Sequence, residues 1–314
     1  DRLYSTNNNE GTKTKEIQKL IGELVPALKT LLQNKEISEE TLSLLSLIIE
    51  RDENFISLYK NNGIIDYIFK IMLQKEYNNN LNIVKILIIL TTSNEIQFKD
   101  ILSMGLMDKI NSLIEISFSS YNTSNISNTN NNYENDDENS YLDYIFELFY
   151  EMVNKIFEYK KNKYPTGVKI DLDSYKKDFS SKIENIGKNF NLCIKLLGNQ
   201  KNVNVQEMSC ICLIYILQIF PGSKIDSLNL QLKFKSSDIP NLLKGLELSC
   251  QKIHRVIINI FKWIIQFQED ANKIFKPYVS YIITYLENII NTSAEPEVIS
   301  AAQNFISNEI PKIK

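Results

Sequence analysis

Apolar residues recur at helical spacing along most of the chain. Leu24, Val25, Leu28, Leu31 and Leu32 fall on one helix face, with Pro26 tolerable in the first turn, which predicts a helix start near Glu23. Leu42, Leu44, Leu45, Ile48 and Ile49 mark a second helix, opened by Ser38-Glu39-Glu40. That opening supplies a cap and two acids that suit the positive end of a helix dipole. From Asp52, Phe55, Ile56, Leu58 and Tyr59 make a short helix that Asn61-Asn62-Gly63 ends, since glycine and asparagine accept left-handed backbone. Ile64 to Gln74 then predicts a third helix packed on the pair.

The plan is written again downstream. Gly63-Ile64-Ile65-Asp66 is matched by Gly105-Leu106-Met107-Asp108, 42 residues on, and Gly22-Glu23-Leu24-Val25 lies 41 residues upstream. At the offset of 42, Leu44 falls on Ile86, Leu45 on Leu87, Ile48 on Leu90 and Ile56 on Phe98. A period of this length with helical hydrophobicity is the mark of a stacked helical repeat, in which the interfaces between neighbours are constrained and the surfaces drift. The second unit therefore reads Ile83 to Leu90, Ile96 to Leu102 and Leu106 to Ile116.

Residues 119–140 leave the pattern: serine, threonine and asparagine give way to Glu134, Asp136, Asp137 and Glu138, predicting a low-complexity insertion. Tyr141 to Glu158 resumes as an aromatic-rich helix, and 160–178 reads as a charged connector containing Tyr164-Pro165-Thr166-Gly167. Ile186 to Leu197 resembles a third helix, and Val205 to Ile219 a long first helix stopped by Pro221-Gly222. Leu228 to Ser237 reads as a second irregular insertion. Asp238 then caps a helix with Pro240 in its first turn, Pro277 opens Tyr278 to Ile290 in the same role, and Glu295 to Ile306 begins a terminal helix. The expected organisation is a disordered lead-in over 1–14, repeats over 15–118, the insertion over 119–140, and repeats over 141–314 continuing one solenoid.

Composition narrows the class. With 9 glycines and 7 prolines among 314 residues, a turn-rich all-β fold is disfavoured. A formal net charge of -3 supplies no basic field for a phosphate backbone, so no nucleic-acid partner is expected. Cys193, Cys210, Cys212 and Cys250 all sit in apolar helical patterns, which fits buried thiols and a reducing, cytoplasmic setting. Charged residues interrupt the longest apolar runs, so no membrane span is expected. The chain begins Asp1-Arg2-Leu3, read as a segment of a larger polypeptide.

Gly22, Gly63 and Gly105, each before an apolar third helix, resemble armadillo repeats, and the less regular second half resembles HEAT repeats. The resemblance covers roughly Lys15 to Ser307. It implies an all-α fold, a right-handed α-α superhelix (an armadillo/HEAT-like solenoid) of about six or seven repeats, and protein binding along a groove lined by third helices. It also looks like the non-catalytic repeat region that follows the catalytic domain in Fused-type Ser/Thr kinases, or the armadillo region of a formin.

Candidate chemistry is sparse. His254 is the single histidine; four residues from Cys250, it lacks the paired cysteines of a zinc site, and Cys210 and Cys212 diverge on a helix. No glycine pair can cradle a phosphate. No catalytic residue, metal or cofactor is expected. Trp263 reads as core rather than as part of a ligand ladder. The partner-binding residues expected on the third helices are Lys29, Asp66, Lys70, Asp108, Ser112, Asn191, Lys195, Asn241 and Lys244, because polar residues recur there at equivalent positions. The expected function is a non-catalytic protein-protein interaction scaffold that binds a peptide or partner helix along the concave third-helix groove, as a regulatory segment of a larger protein. Two further readings are a helical enzyme, marked by a deep pocket holding His254 beside a perturbed carboxylate, and a homo-oligomeric structural protein, marked by an apolar end face at the terminal helix.

Overall fold

A computed structural model describes residues 7–34, 38–51, 55–72, 74, 80–93, 105–127, 135–165, 171–198, 203–219, 232–248 and 250–313. Among them the regular structure is entirely helical: α1 (Asn7–Leu32), α2 (Ser38–Arg51), α3 (Phe55–Asn61), α4 (Ile64–Met72), α5 (Leu81–Thr92), α6 (Leu106–Ser127), α7 (Asn135–Lys163), α8 (Leu172–Leu197), α9 (Val203–Ile219), α10 (Ile239–Leu246), α11 (Gln251–Phe267), α12 (Ala271–Phe275), α13 (Val279–Thr292) and α14 (Pro296–Asn304). Two compact units divide the chain between Lys109 and Ile110.

The first unit shows the repeat directly. Helix α2 packs on α1, α3 and α5, and α3 packs on α4. On α4, Ile64, Ile65, Ile68, Phe69, Ile71 and Met72 are buried while Asp66 and Lys70 face solvent, so one apolar stripe decides its orientation. Tyr59 is fully buried and its hydroxyl donates to the Leu45 carbonyl at 2.9 Å, which ties α3 to α2 and leaves no unpaired phenol. Burial pushes the Tyr59 pKa well above the ordinary tyrosine value. In the second copy, Asn80 caps α5 by accepting from the Ile83 amide at 3.1 Å.

The repeat glycines are not equivalent. Gly63 and Gly105 have φ of 65° and 66° and turn the chain into α4 and α6. Gly22, the expected third copy, instead lies inside α1, which runs unbroken from Asn7 through Pro26. The expected helix start near Glu23 is therefore corrected. The proline ring meets the carbonyl four residues back, which is that of Gly22, the residue with most freedom to adjust. Helix α1 also occupies 7–14 of the expected lead-in.

These glycines make a paired prediction. Gly63→Ala should destabilise the unit by about 1–2 kcal/mol because an L side chain is strained at positive φ. The strain adds to a crowded site, since the new Cβ would lie 3.1 Å from Lys29 Nζ. Gly22→Ala meets nothing within 4 Å and should stabilise by about 0.5–1 kcal/mol through helix propensity. Denaturant melts of the two variants check both signs.

The second unit is built in two rows. Helices α7, α9, α11 and α14 pack successively side by side, and α8, α10 and α13 form the other row. Helix α9 touches α7, α8 and α11, which explains a nearly all-round burial from Val205 to Ile219. Its buried Gln206 donates through Nε2 to the Leu197 carbonyl at 3.1 Å, satisfying the end of α8. Burial raises the Cys210 and Cys212 thiol pKa values well above the usual range, as expected of thiols that serve as core.

Several sequence expectations are revised here. The 119–140 stretch is helical in backbone over 119–127 and 135–140, because no glycine or proline stops the helix begun by the buried face of α6. The 160–178 connector is claimed from both ends by α7 and α8, and its charges form a network: Asp178 accepts from Lys163 Nζ at 2.5 Å and from Tyr164 Oη at 2.8 Å. Burial alone would raise the Asp178 pKa, but the bonds from Lys163 and Tyr164 outweigh it and hold the carboxyl below its ordinary value. Asp238 does not cap α10 with its side chain; it accepts from the Lys235 amide at 2.7 Å, closing the turn before the helix. Trp263 is half-buried and leans on Phe234 and Phe267. The short second helix expected at 96–102 lies outside the described residues.

Candidate partner-binding surface

Seven of the nine expected partner-binding positions are exposed on helices whose opposite faces are core, and the other two, Lys29 and Asn241, are half-buried. In the first unit Asp66 and Lys70 are exposed one turn apart on α4. Lys29 is different. Its ammonium donates to the Asn62 carbonyl at 2.8 Å, so it secures the end of α3, where a cation is favoured by the helix dipole. Asp108 and Ser112 are exposed on α6, each with interactions inside the protein.

In the second unit Asn191 and Lys195 are exposed on the last turns of α8, and Lys244 is exposed on α10. These two helices are neighbours in one row, so the structure brings the three residues to adjacent elements. Asn241 is half-buried and sits against Gly198, where a Cβ would stand 2.4 Å from Asn241 Oδ1. Its position is thus set by packing as much as by solvent. The next helix of the row, α13, presents Tyr281, which is 60% exposed and was not among the expected positions. Its spacing to Asn241 is 40 residues, close to the repeat period, and that offset is the signal by which sequence reading finds it.

The described residues of the second unit form, among others, two concavities. A groove of about 570 Å³ between α11 and α14 is polar, and its Arg255 and Glu297 form an ion pair that is largely exposed. A second pocket, of about 440 Å³, lies where α10 and α13 end and α11 begins. It holds His254, whose Nε2 donates to the Leu248 carbonyl at 2.5 Å and whose Nδ1 is buried without a partner. Burial pulls the His254 pKa down, partly offset by the carbonyls of Leu248 and Leu246. Gln251 lines the same pocket with a buried, unpaired Oε1. At its edge Tyr285 donates to Glu247 at 2.5 Å, and this bond raises the tyrosine pKa. The sequence marked His254 but offered nothing that places Glu247, Gln251 and Tyr285 around it.

Among the described residues no group of three or more histidine, cysteine, aspartate or glutamate side chains is arranged to hold a metal ion. No helix among them is long and apolar enough to cross a membrane.

No known protein family matches the sequence, and no curated protein does. Among solved structures, two engineered proteins are similar to this chain at 13% and 15% identity, each with a TM-score of 0.49. Both alignments cover 92% of this chain, and 98% and 97% of the engineered chains respectively. A designed armadillo repeat protein in complex with the peptide (KR)4 is similar at 13% identity and a TM-score of 0.48, covering 92% of this chain and 99% of that one. In its own geometry, with α3 turned into α4 by positive-φ Gly63 and helices stacked in rows beyond residue 110, the chain has an armadillo-like helical repeat fold.

Proposed function

We propose that the protein is a peptide-binding repeat scaffold acting as a regulatory segment, and that the exposed strip of the α8–α10–α13 row in the second unit receives the partner. The observation that supports this reading is that Asn191, Lys195 and Lys244 are exposed on two helices that pack on each other, while other faces of the same helices are buried. A folded core that holds polar groups in a fixed row loses little entropy when an extended peptide lies across it. Lys195 and Lys244 give the row of the second unit a positive character that favours acidic segments. In the first unit, taken by itself, Asp66 and Lys70 form a mixed-charge patch on α4.

The test is selection from a displayed peptide library against the folded chain, followed by titration of the selected peptides. Selected sequences should be enriched in aspartate and glutamate, and Lys195→Glu/Lys244→Glu should weaken them by about 1–3 kcal/mol, or roughly 5- to 150-fold, with unfolding midpoint unchanged. Peptides that bind the double variant as well as the parent would overturn the assignment of this row.

A further inference from the structure

The groove between α11 and α14 belongs to the other row of the second unit, and it holds a positive charge that no neighbouring carboxylate answers. Arg255, Asn259 and Lys262 share one face of α11 at i, i+4 and i+7, across from Glu297, Ser300 and Asn304 at i, i+3 and i+7 on α14. The ion pair of Arg255 with Glu297 joins the two helices and cancels its own charge. Seven residues further along each helix, about 10 Å, lie Lys262 and Asn304. Lys262 is half-buried and has neither an ion pair nor a hydrogen-bond partner among the described residues. The side chains of Asn259, Ser300 and Asn304 line the same groove and are equally without partners there.

Charge and shape narrow the ligand. One uncompensated cation calls for a single negative charge, and a dianion would share the groove with the Glu297 carboxylate. A half-buried ammonium has lost part of its water, so pairing it with a carboxylate gains more than pairing a lysine on an open surface. Asn259, Ser300 and Asn304 add donors for carboxylate or peptide oxygens. Ala301 puts only a methyl into the wall, which leaves room for a chain. The volume of about 570 Å³ exceeds that of a bare carboxylate, and a length of about 10 Å accommodates some three residues of extended backbone. Terminal carboxylates are captured by backbone N–H groups, which along these two helices are spent on helical hydrogen bonds, so a side-chain carboxylate is the better match.

We propose that this groove is a second site, which receives an aspartate or glutamate side chain of a polypeptide, with the carboxylate on Lys262 and Asn304 and the flanking peptide groups against Asn259 and Ser300. It lies on a different row from Asn191, Lys195 and Lys244. The inference does not rest on that strip, so either can fail without the other.

The test titrates the full chain with two peptides blocked at both ends, Ac-Gly-Ser-Asp-Ser-Gly-NH2 and its uncharged isostere with asparagine in place of aspartate. The side-chain amide resonances of Asn259 and Asn304, assigned by substitution, report the groove directly. The aspartate peptide should shift both saturably, and the isostere should bind about fivefold more weakly or worse. Lys262→Gln should remove that preference with an unchanged unfolding midpoint, whereas Lys195→Glu/Lys244→Glu should leave it intact. If Lys262→Gln does not fold, the comparison of the two peptides on the parent chain still decides. Equal responses to the two peptides, a preference that survives Lys262→Gln, or shifts lost in Lys195→Glu/Lys244→Glu overturn the proposal. A stronger response to Ac-Gly-Ser-Gly, which ends in a free carboxylate, overturns the assignment to a side chain.

Discussion

Phe261→Ala is expected to lower the stability of the second unit by about 3–5 kcal/mol, the usual loss for truncating a fully buried aromatic ring. Phe261 is fully buried on α11, and its ring lies 5.4 Å from that of Phe275, at 87°, and 5.8 Å from that of Phe305, at 46°. One ring therefore joins α11 to α12 and to the turn that follows α14. An edge-to-face arrangement adds to area burial because the positive ring edge meets the negative face of its neighbour. Removing the ring leaves a cavity that three rigid helical segments cannot collapse together, so the cavity cost comes on top of the lost transfer energy. Thermal unfolding should move down by roughly 10 °C for a unit of this size. Phe261→Leu should recover about half of the loss, and Tyr281→Ala, at an exposed position, should stay within about 0.5 kcal/mol. A Phe261→Ala protein that melts with the parent would mean that the three-ring cluster is not part of the core.

That cluster illustrates what the sequence can and cannot disclose. Periodicity exposes the buried stripe of α11, because Ile253, Ile257, Ile260, Phe261 and Ile264 recur at helical spacing and one face must leave water. It does not say which stripe meets which, and the contact of Phe261 with Phe305 spans 44 residues. The glycines show the same boundary at smaller scale. Gly63 and Gly105 read correctly as turns, yet Gly22, in a similar apolar setting, lies in an uninterrupted helix. Whether a glycine adopts positive φ is decided by the packing around it, here the burial of Val25, Leu28 and Leu32 that holds the last turns of α1 in place. Of the expected polar positions, Asp66, Lys70, Asp108, Ser112, Asn191, Lys195 and Lys244 are exposed as the helical pattern implies, because exposure follows from the phase of the helix. Lys29 turns out to secure the end of α3, since the carbonyl of Asn62, 33 residues away, is visible only once the helices are assembled. The His254 pocket is illegible for the same reason: it forms where three helix ends meet, none of which carries a motif.

Gln268→Ala is the second large effect expected, about 2–4 kcal/mol, and it arises from hydrogen bonding rather than volume. The Gln268 amide is buried, accepts from the Phe234 amide at 3.1 Å and donates to the Phe234 carbonyl at 2.8 Å. It thus supplies both partners that a neighbouring strand would supply to an extended backbone. Without it, two buried peptide groups are left unpaired, each costing about 1–3 kcal/mol less whatever water can restore. The segment so held carries Leu232 and Phe234 into the core, and Phe234 lies edge-on to Phe190 at 4.8 Å and to Trp263 at 6.3 Å. Trp263 is the single tryptophan, so its fluorescence reports this site directly. In Gln268→Ala the emission should shift to longer wavelength and begin its transition at lower denaturant than helical circular dichroism. Gln268→Glu sharpens the test, because a buried carboxylate would face the Phe234 carbonyl and the Asp270 carboxylate where the amide now donates to both. The folded state disfavours its charged form, which raises its pKa, so the defect should be largest at neutral pH and shrink as pH falls through that raised value. Unaltered Trp263 emission and stability in Gln268→Ala, or a Gln268→Glu defect indifferent to pH, would show that the segment is held by its apolar side chains alone.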